Sequence, residues 1–159
     1  MARLRLPALI AATMLGACAP IPEVPRSVSP ELLDSVRNGT VELTCRSSAC
    51  ENVWLARVEQ AAHLTTQARW AELSALLTVT NYSSDLGYYF LGRAAAGLGS
   101  PRAAVHYYEI AKAELKGERS CEAIGLCRGL GIPAVIDAEL TEAQRKAAGS
   151  TNGSNRAAR

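Results

Sequence analysis

The stretch that most constrains this chain runs from Asp85 to Glu118, DLGYYFLGRAAAGLGSPRAAVHYYEIAKAELKGE. Tyr88, Leu91, Gly92 and Ala95 recur at i, i+3, i+4 and i+7, which is one face of a helix. Beyond a turn at Gly99-Ser100-Pro101, Ala104, Tyr108 and Ala111 follow the same helical periodicity. Large residues alternate with small ones across the two faces, so two antiparallel helices can approach closely. Ser100 offers a helix N-cap, and Pro101 sits at the first helical position, where its missing N–H costs nothing. The spacing predicts a tight helical hairpin, and with it an all-α fold of stacked antiparallel hairpins.

This hairpin resembles a tetratricopeptide repeat. The family pattern is an aromatic, two residues, Leu-Gly, and later Ala, three residues, an aromatic and a further Ala. Tyr88, Leu91-Gly92, Ala104, Tyr108 and Ala111 take those places, with the family's gap between Gly92 and Ala104. Ala95 stands where a second aromatic is usual, and Lys116-Gly117 where a closing proline is usual. Trp54 lies 34 residues before Tyr88, which is the family's period. Glu51 to Thr80 therefore reads as a degenerate first repeat. Trp54, Val58, Ala61 and Ala62 form one apolar face, Trp70, Leu73, Leu76 and Leu77 another, and Thr65-Thr66-Gln67 the connection. Arg57-Val58 replace Leu-Gly in this unit, and an unrelated helical pair is the competing reading. The resemblance implies a concave groove for a partner's peptide, lined by Leu86, Tyr89, Arg93 and Ala96. Tyr and Arg are the types most often found as binding hot spots. The competing reading covers this face with a neighbouring helix or leaves it solvated.

The start of the chain carries an address. Arg3 and Arg5 form a basic n-region, and Leu6 to Met14 an apolar run too short to span a bilayer. The run ends in Leu15-Gly16-Ala17-Cys18, which resembles the lipobox of bacterial lipoproteins. That resemblance implies cleavage after Ala17, with the leader covering residues 1–17, and acylation of Cys18. The implied anchor is membrane attachment by lipid, palmitate included. Ala19 stands where Asp favours inner-membrane retention in similar proteins, so the resemblance implies an outer-membrane lipoprotein facing the periplasm. An ordinary secretory signal is the competing reading. The leader takes Arg3 and Arg5 with it. The chain's 17 Lys+Arg against 15 Asp+Glu then become 15 of each over the 142 residues left from 159. A neutral mature chain has no basic surplus to hold nucleic acid. Its length suits one small domain.

Residues 18–29 hold Pro20, Pro22 and Pro25 and read as an extended tether. Ser29-Pro30-Glu31 opens a short helix through about Val36, closed by Asn38-Gly39. Thr40 to Thr44 alternates and reads as a short strand or extended segment. After Gly117, Cys121 to Pro133 reads as an irregular loop packed by Ile124, Leu126, Leu130 and Ile132. Pro133 to about Lys146 reads as a last helix, with a capping-box-like restart at Thr141. The helical domain thus covers 30–147, and the Gly/Ser/Asn-rich 148–159 is expected to be disordered.

Five cysteines narrow the fold further. With Cys18 consumed by lipid, Cys45, Cys50, Cys121 and Cys127 remain, an even number for an oxidising compartment. Three pairings exist. The local pairs Cys45–Cys50 and Cys121–Cys127 are favoured, because each would staple a short, otherwise weak segment at either end of the domain. A four-thiolate zinc site is the rival, but both gaps are wider than the usual knuckle and the compartment disfavours free thiolates.

No catalytic constellation stands out, so no enzyme, cofactor or metal is expected. His63 and His106 read as ordinary polar positions, and Ser83-Ser84-Asp85 has no histidine close in sequence. The leading expectation is a lipid-anchored interaction or assembly module acting on an unidentified envelope protein. A binder of peptidoglycan or lipid is the alternative, and an enzyme ranks last.

Overall fold

The computed structural model describes residues 27–127 and 129–157. Seven helices are found among them, with no strand longer than a single bridge. Helix α1 spans Pro30–Asn38. The Ser29 hydroxyl accepts from the Leu32 N–H at 3.2 Å, and Gly39 closes the helix at φ +72°. A left-handed residue is needed there so that the chain can turn back onto the last carbonyls, and glycine adopts it without a Cβ clash.

The alternating run Thr40–Thr44 is extended, but its partners are not a strand. Val41 N–H donates to the Tyr107 hydroxyl at 3.0 Å, and Leu43 N–H to the Tyr88 hydroxyl at 3.0 Å. The same Tyr88 hydroxyl donates back to the Leu43 carbonyl at 3.2 Å. Buried backbone groups must be paired, and here two tyrosines from the helices supply what a neighbouring strand would. The run ends in one parallel bridge between Cys45 and Tyr82.

Helix α2 spans Ser48–Leu55, α3 Val58–Thr66 and α4 Trp70–Thr80. The expectation of one helix from Glu51 to about Thr65 is corrected. Arg57 N–H bonds back three residues to Trp54 at 2.8 Å, which tightens the turn and breaks the ladder between α2 and α3. The expected Thr65-Thr66-Gln67 connection shifts to Gln67–Arg69, with Ala68 left-handed at φ +55°. Asn81, also left-handed, caps α4, and its side chain accepts from Thr44 N–H at 2.9 Å.

Helix α5 spans Asp85–Gly97 and α6 Pro101–Glu114, joined by the expected turn with Gly99 at φ +80°. Ser84 caps α5, accepting from Gly87 N–H at 3.1 Å. Ser100 does not cap α6 with its side chain. Its φ −111°, ψ 76° departs from the extended geometry that places a cap oxygen over the first turn. Helix α7 spans Ala134–Ala157. It runs unbroken past both Thr141 and Lys146. Thr141 is interior, its hydroxyl donating to the Asp137 carbonyl at 2.8 Å, so the expected restart there is corrected. The 148–159 tail, expected to be disordered, carries helical backbone through Ala157.

The two local disulfides, Cys45–Cys50 and Cys121–Cys127, are both formed. The first joins the extended run to the first turn of α2, and the second closes the irregular segment between α6 and α7. Hairpins α3–α4 and α5–α6 stack through α4 against α5, and α7 lies along α6. Central α5 is buried from Asp85 to Gly92 and again at Ala94 and Ala95. Its glycines permit this. A Cβ at Gly92 would lie 2.4 Å from the Tyr108 ring, and one at Gly97 2.2 Å from the Trp70 ring, both far inside contact distance. The α5–α6 contact expected from Leu91-Gly92 and Tyr108 is therefore real and close. The hairpins, however, start 27 residues apart (Val58 to Asp85) and 31 apart (Trp70 to Pro101). The 34-residue spacing relates Trp54 to Tyr88 without relating the helices that carry them.

Candidate functional site

The expected partner groove is not open. Leu86 is fully buried and Tyr89 is 3% exposed. The Tyr89 ring packs 5.2 Å from Phe90 and 6.2 Å from Tyr108, centroid to centroid. Arg93 is half-buried, donates to the Tyr89 hydroxyl at 3.3 Å and pairs with Glu139 of α7 at 3.0 Å. Assignment of Leu86, Tyr89, Arg93 and Ala96 as an exposed peptide-binding face is thus corrected. Periodicity showed that these residues share a face, but not what lies opposite it. The aromatic core takes the Leu86 end, and α7 approaches the Arg93 end. Helix α7 has its own stripe to bury, Ile136, Leu140 and Ala143, and carries the carboxylate that matches Arg93.

What remains is a cleft at the far end of that face. Two adjoining cavities of about 250 and 190 Å³ share Ala96, Glu139 and Lys146. The larger lies between the α5–α6 turn and α7, and the smaller reaches Trp70 and Arg93. Tyr108 lines the larger cavity. Its side chain is fully buried, and its hydroxyl makes no hydrogen bond of acceptable geometry. Burial, with the nearby Glu139 carboxylate, pushes that hydroxyl well above the ordinary tyrosine pKa. It stays a neutral O–H that can donate or accept.

A second polar cluster sits at the N-terminus of α5. Asp85 is fully buried, and its carboxylate accepts from Leu86 N–H at 2.7 Å and, through both oxygens, from Cys121 N–H at 2.9 Å. Burial raises its pKa, against the opposing pull of those backbone donors. Arg119 donates to the Ser83 carbonyl at 3.0 Å and pairs with Glu114 at 3.4 Å, and Arg46 approaches Glu114 at 3.9 Å. The Tyr82 hydroxyl donates to Glu51 at 3.2 Å, and burial ahead of the Glu51 charge pushes its pKa to about 12. These bonds fasten both disulfide-stapled segments to one helix end. They do not build a nucleophile: Ser84 is spent as a cap, and the buried Ser83 hydroxyl has no hydrogen-bonded base.

His63 and His106 are exposed on separate helices, and His106 lies 5.7 Å from the Tyr107 ring. Among the described residues no cluster of three His, Cys, Asp or Glu is placed to hold a metal, and no helix is long and apolar enough to cross a membrane. Cys18 lies outside the described residues. Asp85, Arg119, Glu114 and Glu139 were missed by sequence reasoning. At the first position of a helix Asp85 reads as an ordinary favourable charge, and its bond to a residue 36 positions away leaves no local mark. No protein-family model, curated protein or solved structure matches this chain.

Proposed function

We propose that this chain is a lipid-anchored, periplasm-facing interaction or assembly module of a bacterial cell envelope, without catalytic activity of its own. One observation carries the reading. Of five cysteines, four are consumed in Cys45–Cys50 and Cys121–Cys127. That leaves Cys18, the residue that ends Leu15-Gly16-Ala17-Cys18 behind a basic and then an apolar stretch. Two disulfides suit an oxidising compartment, and a lone cysteine at that position is the one a lipid would take. Ala19 supports the outer membrane as destination. The partner is a protein of the same compartment, met by a body whose Leu86 and Tyr89 are core rather than contact. In the producing bacterium, Cys18→Ala is expected to leave the membrane fraction. Retention of the variant at the wild-type level, together with an unacylated Cys18 in the parent, would contradict the proposal.

A further inference from the structure

The two disulfides sit in unlike surroundings. Cys45 and Cys50 are both partly exposed, and Arg46 to Ala49 between them are all exposed. Cys50 packs against the hydrophobic core, whereas Cys45 lies outside it. Cys50 is the third residue of α2, where the first-turn N–H groups and the helix dipole favour a negative charge. Ser47 caps that turn, and its hydroxyl lies 3.4 Å from Cys45 Sγ. Glu51 follows Cys50, and its carboxylate is engaged by the Tyr82 hydroxyl at 3.2 Å. At the other staple Cys121 is fully buried, and its N–H is held by both carboxylate oxygens of Asp85 at 2.9 Å. A thiolate there would lose its hydration near a carboxylate, and both effects disfavour it.

Thiol–disulfide exchange needs one sulfur that a thiolate can reach and another that leaves readily as a thiolate. Cys45 meets the first need and Cys50 the second. At the other staple, attack on the partly exposed Cys127 would expel a buried Cys121 thiolate, and attack on Cys121 itself is blocked by burial. We infer that Cys45–Cys50, and not Cys121–Cys127, is a site of exchange with a small external thiol. The incoming thiolate forms an S–S bond to Cys45, the Cys45–Cys50 bond breaks, and its electron pair stays on Cys50 as the new thiolate. The incoming sulfur is oxidised to the disulfide level while Cys50 is reduced, so the step needs no other oxidant. The fold does not hang on the bond that opens. Cys45 stays paired through its N–H to the Asn81 carbonyl and through its carbonyl to the Ser83 N–H, both at 2.9 Å, and the buried Trp54 anchors α2. Cys50 therefore stays near Cys45 and can expel the external thiol again, which makes the modification reversible. This site goes beyond the assembly role and does not rest on acylation of Cys18.

The test incubates the full oxidised chain in detergent micelles at neutral pH with an excess of reduced glutathione. Samples taken over time are quenched with acid, alkylated and mapped by mass spectrometry, with far-ultraviolet circular dichroism alongside. Cys18 is read on a separate peptide, so a failed anchor leaves this result intact. Glutathione should add to Cys45 and leave Cys50 as a free thiol, about tenfold or more faster than Cys121–Cys127 opens. The helical signal should be unchanged while this happens. Opening of Cys121–Cys127 first, or at the same rate, would overturn the inference. So would an adduct on Cys50 in place of Cys45, a Cys45–Cys50 bond that resists glutathione altogether, or loss of helicity in step with its opening.

Discussion

Asp85 shows how far one side chain can serve structure at its own expense. Its carboxylate organises the start of α5 and holds the Cys121 backbone, yet burial makes its charged form costly. Its folded pKa is raised above the ordinary 3.8, so the folded state binds the proton more tightly than the unfolded state. The stability linked to that difference is fully present below the unfolded value and is lost as pH rises through the folded one. Asp85→Asn removes the titration while keeping an acceptor. Urea unfolding from pH 4 to 7 should show wild type losing stability relative to Asp85→Asn as pH rises; a constant or opposite difference would refute this. Ala68 carries a simpler burden, because an alanine at φ +55° pays for a Cβ that crowds the backbone. Ala68→Gly relieves that clash but adds unfolded-state entropy. The net gain should be about 0.5–1 kcal/mol by urea titration, and a loss would mean that the methyl group packs where it sits.

Local signals marked the helices well and their surroundings poorly. Ser29, Gly39 and Gly99 each announced an element boundary, because caps and left-handed turns depend on a few adjacent residues. The disulfide pairs were legible for the same reason. Thr40–Thr44 announced its extended shape but not its partners, since the tyrosines that pair it come from 45 and 66 residues away. The Arg93 face was legible as a face, but its cover was not. Helix α7 supplies that cover through Glu139, 46 positions beyond Arg93, after a segment rich in glycine. Attachment of α7 should rest on Ile136, which is fully buried, rather than on Lys112–Asp137, whose side chains are 55% and 54% exposed. Ile136→Ala should cost about 2–4 kcal/mol by cavity formation, and Lys112→Ala under about 1. Chemical denaturation gives both values, and a reversed order would show that ion pairs hold the helix.

At the scale of the molecule, two short staples and a nearly fully buried central helix describe a compact helical stack. Closing loops of this length restricts the unfolded chain by about 2 kcal/mol each, which matters for a body of this size. The stack leaves one cysteine over, and the proposed role depends on what that cysteine carries. Mass spectrometry of the protein purified from native membranes, mapped without reduction, tests this most directly. The expected result is an N-terminus at Cys18 bearing acyl chains, with Cys45 joined to Cys50 and Cys121 to Cys127. A chain that begins elsewhere with Cys18 unmodified or absent, or a map joining Cys45 to Cys121 or Cys127, would contradict it.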